Sequence, residues 1–376
     1  MMMRRKILCI FAAFMMLAMT GCGLVQNTPT TTTADSTADG ATAIGDAQSL
    51  PLEGASIVLR ISHTDNDSSM LSNTWNCYAR TFKSYLETFS GGEMSAEIFP
   101  NSQLGDETSC IEQCSQGTVD IVLGAASGNL ASWVPDFNVS DIPYLVENLD
   151  ACNLVCQGEI LNELNAELKD AGNMRVLSLM ATAFRNLDTW KAPVETVDDL
   201  HGMKVRVQSI DAHTTMVDGW GAIPTTVSFS ELYSAASTGV IDAFENPNYT
   251  LFMNNLYEAV NYVTETQHLA NVCMCLISGK TFDGLTAEQQ EWVQRAAAEA
   301  RRTAIGAVSA NNVNVMANLK ESGVEIISLS EEQRAEFRDA CYDTCVETVM
   351  RTVDPDFYQR FLNAYATAEE MLGLVG

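Results

Sequence analysis

A few polar residues set in apolar surroundings are the groups in this sequence with chemistry to offer. Arg206 lies in Val205-Arg206-Val207, a stretch that reads as a strand. Strand alternation puts the two valines on one face and Arg206 on the other. Its guanidinium is then either a solvated surface charge or a partner for an anion. Asn246, in Glu245-Asn246-Pro247, follows the short apolar run Val240 to Phe244. Strand ends of this kind are where α/β proteins bind ligands, although Asn-Pro also marks an ordinary turn. Arg185 stands between Phe184 and Asn186, and Phe229 and Tyr233 share the i, i+4 spacing of a helical core face.

Other chemistry is missing its signatures. The four histidines, His63, His201, His213 and His268, form no H-E-x-x-H pair. There is no G-x-S-x-G elbow, no G-x-G-x-x-G and no P-loop. Eleven cysteines are present, three pairs of them at i, i+4: Cys110/Cys114, Cys152/Cys156 and Cys341/Cys345. On a helix that spacing puts both thiols on one face, where cysteine acts as a small core hydrophobe. Disulfides and a metal site remain the competing readings of the same spacing. The expectation is buried free thiols, no metal and no cofactor.

The elements that must position these groups alternate between strand and helix, which argues for α/β layers. Strands are expected at 57–62, 94–99, 119–123, 174–179, 204–208 and 240–244. Extended segments are expected at 262–268 and 272–278. Helical spacing covers 72–90 and 106–116, and runs from Thr286 to Glu321 with only Gly306 interrupting it. A helix that long can span two domains.

Several of these stretches together resemble one family. They are Phe99-Pro100-Asn101-Ser102-Gln103-Leu104-Gly105, Asp199-Leu200-His201-Gly202-Met203-Lys204-Val205-Arg206-Val207 and Gly239-Val240-Ile241-Asp242-Ala243-Phe244-Glu245-Asn246-Pro247. Their order and spacing are similar to those of the DctP-type substrate-binding proteins of TRAP transporters, over most of the chain. Ala243-Phe244 departs from the Gly-Gln common before E-N-P. The resemblance implies a two-domain periplasmic-binding-protein-like fold with a ligand cleft between the domains. It implies that Arg206 grips a ligand carboxylate with both prongs of its planar fork, which an ammonium cannot do. Asn246 would offer its amide to the same carboxylate, Phe229 would pack on the ligand, and Arg185 would line the cleft and meet a second polar group of the ligand. Glu245 would steady Arg206 or serve the fold. From the first domain, His63, Asp65, Asn66, Trp75 and Glu107 are candidates without a motif.

The expected organisation is a signal peptide at 1–21, a lipid-anchored tether at 22–54 and two α/β domains. The first takes 55–182 and 270–311, the second 183–269 and 312–376, with crossings near Ala181 and Ala270. Arg4, Arg5 and Lys6, the apolar stretch Ile7 to Met19, and Thr20-Gly21-Cys22 read as a bacterial lipoprotein signal acylated on Cys22. A Thr-, Ala- and Ser-rich run without aromatics follows and suits a flexible tether. With 48 acidic against 21 basic residues, a net charge of −27, the chain is a poor partner for nucleic acid. The reading is therefore an extracytoplasmic, lipid-anchored receptor that binds a small organic acid and delivers it to small and large TRAP membrane subunits. It is not an enzyme, since no acid–base pair is recognisable. A receptor for an ATP-driven importer, or a sensor that presents ligand to a membrane kinase, shares the fold logic and is the competing reading.

Overall fold

The computed structural model describes residues 49–67 and 73–374. The signal stretch, Cys9, Cys22 and most of the tether lie outside the described residues. Nine strands form one sheet: β1 Ile57–Ser62, β2 Met94–Phe99, β3 Ile121–Ala126, β4 Met174–Thr189, β5 Lys204–Val207, β6 Ile223–Thr226, β7 Ala243–Pro247, β8 Tyr262–Ser278 and β9 Glu325–Ile327. Their order is β2-β1-β3-β8-β4-β7-β5-β6, with β9 beside β8. At one end β1 runs parallel to β2 and β3; at the other β5 runs parallel to β6 and β7. Between them β4 and β8 are antiparallel to each other and to the outer groups. A chain that crosses from one lobe to the other and returns must reverse direction, so the shared middle cannot be parallel.

Each lobe has apolar packing on both sheet faces. In β8, Val272, Met274 and Leu276 enter one core, while Cys273, Cys275 and Ile277 enter another. That is the period of two a strand imposes. The second lobe packs Phe244 and Val263 on one side and Val205, Val207 and Trp220 on the other. The helix Ala287–Glu321 spans both lobes. Its Val293, Ala296, Ala297, Ala300 and Ala304 pack in the first, its Val308, Val315 and Leu319 in the second. Thr286 and Gln289 cap its start reciprocally, which satisfies two otherwise orphaned backbone donors.

The structure departs from the sequence reading in four places. The long helix passes through Gly306 unbroken, because buried alanines and valines on either side hold it. The segments at 262–268 and 272–278 are one strand, with Gln267 at φ 45° taking up the bend. The strand that begins at Met174 continues to Thr189. The C-terminal helix Pro355–Met371 belongs to the first lobe's core and not to the second domain. Its Phe357, Phe361 and Tyr365 pack there with Cys152, Ile160 and Leu164, and the Tyr365 hydroxyl accepts the Glu147 and Asn148 N–H groups at 3.0 and 2.7 Å. The nine described cysteines are unpaired and buried. Among the described residues no group of His, Cys, Asp and Glu is placed to hold a metal ion, and no helix is long and apolar enough to cross a membrane.

Candidate functional site

β4, β7 and β8 meet where the two lobes join, and a cluster of buried polar groups sits there. Arg185 of β4 and Glu245 of β7 form a two-pronged ion pair: Arg185 Nε donates to Oε2, and Nη2 donates to Oε1 at 2.8 Å. Arg185 Nη2 also donates to the Glu245 carbonyl at 2.8 Å, and Nη1 to Asn271 Oδ1 at 2.7 Å. His268 of β8 approaches Glu245 Oε2 with Nε2 at 3.3 Å, and Thr266 Oγ1 meets its Nδ1 at 2.8 Å. Burial pushes the Glu245 carboxyl up, but Arg185 and His268 outweigh it and hold it well below the carboxylate range. Burial lowers His268 against the pull of Glu245. A neutral ring donating from Nε2 and accepting at Nδ1 fits both contacts.

Arg206 is just as buried, at 2% exposure, but differently occupied. Its Nε donates to the Val227 carbonyl at 2.8 Å, and its Nη groups have no partner among the described residues. Burial is the main cause that lowers its pKa to about 10; Arg185 adds to the effect, and Glu245 and Glu107 oppose it. Asn246, at 3% exposure, accepts from Arg185 Nη2 at 3.3 Å through Oδ1, while its Nδ2 is buried without a partner among the described residues. Buried donors are nearly always satisfied, so an orphan beside a cavity asks for a ligand.

Two adjoining cavities, of about 50 and 100 Å³, share Arg206, Glu107, Gln208 and Phe229 in their walls. The smaller is also lined by Arg185, Asn246, Asp65, Trp75, Tyr249 and Asn271. They are smaller than the roughly 300–1,000 Å³ of drug-sized sites, which suits a compact solute. A groove of about 720 Å³ elsewhere is bigger, but its walls include Leu154, Leu161, Leu177 and Ile305 and hold no comparable orphan donor. Gly124 permits one wall: at φ 84°, a Cβ there would stand 2.8 Å from the Trp75 indole nitrogen.

The structure brings Arg206, Asn246, Arg185 and Phe229 into one place. Of the first-lobe candidates, Asp65, Trp75 and Glu107 line the cavities, and His63 and Asn66 do not. Glu245 is committed to Arg185 and not to Arg206. Tyr233 is 45% exposed and stands in neither core nor site, and Trp190 packs on Phe244 with ring centroids 6.3 Å apart. Sequence reasoning missed Asn271, Tyr249 and Gln208. Asn271 alone left a signal, as the one polar residue in the apolar run Leu269 to Leu276.

Residues 66–349 match the family described as bacterial extracellular solute-binding protein, family 7, or DctP. The chain belongs to this family. It is 28% identical over 301 residues to the C4-dicarboxylate-binding periplasmic protein DctP of Rhodobacter capsulatus, covering 80% of this chain and 89% of that one. It is 29% identical over 262 residues to the 2,3-diketo-L-gulonate-binding periplasmic protein YiaO of Escherichia coli, covering 70% and 79%. Among solved structures, the sugar acid binding protein of Advenella mimigardefordensis in complex with galactonate superposes with a TM-score of 0.79 at 25% identity, covering 84% and 99%. The DctP chain described here is thus an extracytoplasmic solute-binding protein with the two-lobed fold of TRAP receptors.

Proposed function

We propose that this DctP protein captures a small organic acid anion and hands it to the small and large membrane subunits of a TRAP transporter. One observation carries the reading. Arg206, whose Nη groups have no partner among the described residues, and Asn246, whose Nδ2 has none among them, line the same cavity. A carboxylate is the ligand that supplies acceptors and a compensating charge to both. Relatives that bind C4-dicarboxylates, 2,3-diketo-L-gulonate and galactonate support a carboxylate as the shared ligand feature.

Arg206 takes the carboxylate on its two Nη groups, Asn246 adds Nδ2, and Phe229 covers one side. Arg185 and Glu245 are frame and not ligand contacts. Asn66 N–H donates to Asn254 Oδ1 at 3.1 Å and Asn254 Nδ2 to Asp65 Oδ1 at 3.4 Å, so the rims already touch across the cleft. Binding gains its selectivity for this closed arrangement from contacts that only the closed lobes supply. The ligand is released unchanged. Calorimetric titration of the mature domain with a panel of organic acids is the test; binding of neutral sugars in place of any acid would refute the reading.

The chain is held at the membrane by a lipid on Cys22, a reading that rests on Thr20-Gly21-Cys22 and the polar stretch after it. The wild type should fractionate with membranes and carry a diacylglyceryl group, and Cys22→Ser should be lipid-free. An unacylated wild type refutes the anchor.

A further inference from the structure

The first-lobe wall of the two cavities is acidic. Arg185 and Arg206 are the cations in the walls of the two cavities, and Arg185 is held bidentately by Glu245. That leaves one guanidinium with open donors. Two acids of the first lobe line the same cavity as it, Asp65, which is buried, and Glu107, which is half-buried. Glu107 Oε1 is held by the Ala126 N–H and Asn129 Nδ2, both at 2.6 Å, while Oε2 has no partner among the described residues. Asp65 accepts from Asn254 at 3.4 Å and is also hydrogen-bonded by the Asn73 side chain.

We infer that the ligand is a monocarboxylate whose far end donates hydrogen bonds to Asp65 and Glu107, and that these two residues reject dicarboxylates. The inference rests on the carboxylate reading of Arg206. A second ligand carboxylate would enter beside Asp65 and Glu107 with no free cation to receive it, and like charges in a buried site repel strongly. A hydroxyl or an ammonium gives each acidic oxygen a donor, and bonds to charged acceptors are among the stronger hydrogen bonds. Specificity is built here by repulsion as much as by attraction.

Aldonates and aldarates make a clean pair of probes, because oxidation of the terminal hydroxymethyl group to a carboxylate is the one difference between them. Titration at pH 7.5 would compare galactonate, galacturonate and an acid with its amino group at the far end, 6-amino-6-deoxygalactonate, with galactarate and succinate. At least one acid with donors at its far end should bind about 100-fold tighter than the dicarboxylates; which of the hydroxyl and amino arms wins identifies the donor. Asp65→Asn and Glu107→Gln should each narrow that ratio about tenfold or more, with melting curves showing both variants folded. A dicarboxylate that binds the wild type as tightly as the monocarboxylates overturns the inference. So does a ratio that neither substitution moves, or binding by none of the donor-bearing acids. Arg206→Ala separates the two levels: if it still binds acids normally, the carboxylate reading itself has failed.

Discussion

Replacing Arg206 with alanine should separate function from stability in a way a structural arginine would not allow. In the ligand-free protein this guanidinium is buried with one protein hydrogen bond, from Nε to the Val227 carbonyl. Its pKa falls from 12.5 to about 10, and at about 1.4 kcal/mol per unit the folded state carries a charge penalty of about 3 kcal/mol. Losing the Val227 bond costs about 1 kcal/mol, and the lost packing of the stem a similar amount. The ligand-free variant should melt at or above the wild-type temperature. Binding behaves oppositely. A ligand carboxylate left without its buried partner loses about 3–5 kcal/mol, which is two to four decades of affinity. Arg206→Lys keeps charge but not the fork and should also bind weakly. Calorimetric titration beside thermal melts reads both quantities. A variant that melts far below the wild type, or binds with near-native affinity, refutes the assignment of Arg206 as the anchor.

Two further substitutions probe the frame. Glu245→Gln strands the Arg185 cation and should destabilise the fold by about 3–5 kcal/mol at neutral pH. Because Glu245 is depressed, its stabilisation is present above the unfolded carboxylate pKa of 4.5 and is lost as pH falls toward the folded value. Denaturant titrations should show this acid slope in the wild type and not in the variant; parallel profiles would contradict the pairing. Asp188 is fully buried with both oxygens unpartnered among the described residues, and burial raises its pKa well above 3.8. A raised carboxyl loses stability as pH rises above the unfolded value, so Asp188→Asn should raise Tm by about 2–4 °C at pH 7.5 and change little at pH 4. A lower Tm at pH 7.5 would refute this.

What was legible in the sequence was whatever local periodicity carries. Val205 and Val207 announced a core face and so turned Arg206 to the other side, and both valines are fully buried while Arg206 lines the cavity. The alanines after Trp292 announced the long helix, down to its Thr286 cap. Asn246 was offered by its place at a strand end and by the family resemblance, Phe229 by the resemblance alone, and both line the cavity. The rest of β4 was not legible, because Arg185, Asn186 and Asp188 look like loop residues when read along the chain. Arg185 and Asn186 are tolerated in a buried strand through contacts from distant segments: Glu245 and Asn271 for Arg185, Asn248 and the Gln267 N–H for Asn186. The lobe assignment of the C-terminal helix failed for the same reason, since Phe357 and Phe361 show an apolar face but not which core receives it.

The Arg185–Glu245 pair and Arg206 occupy opposite faces of neighbouring strands. Glu245 and Arg206 are backbone neighbours across the β5–β7 pairing, one residue out of register, and the carboxylate's charge is felt at Arg206. Strand alternation nevertheless turns the two side chains to opposite faces: Arg206 shares the face of Phe244, while Glu245 shares that of Leu187 and Val205. Arg185 engages both Glu245 oxygens there, and His268 approaches Oε2 from β8. The same guanidinium donates to Asn246 Oδ1, which orients the side-chain amide so that its donor end faces the cavity and not its acceptor end. One buried cation thereby compensates Glu245 and sets the direction of the asparagine beside it. That arrangement needs three strands at once: β4 for Arg185, β7 for Glu245 and Asn246, and β8 for His268 and Asn271. The site therefore belongs at the crossing of the lobes, where the long antiparallel pair β4 and β8 carries both sets of contacts.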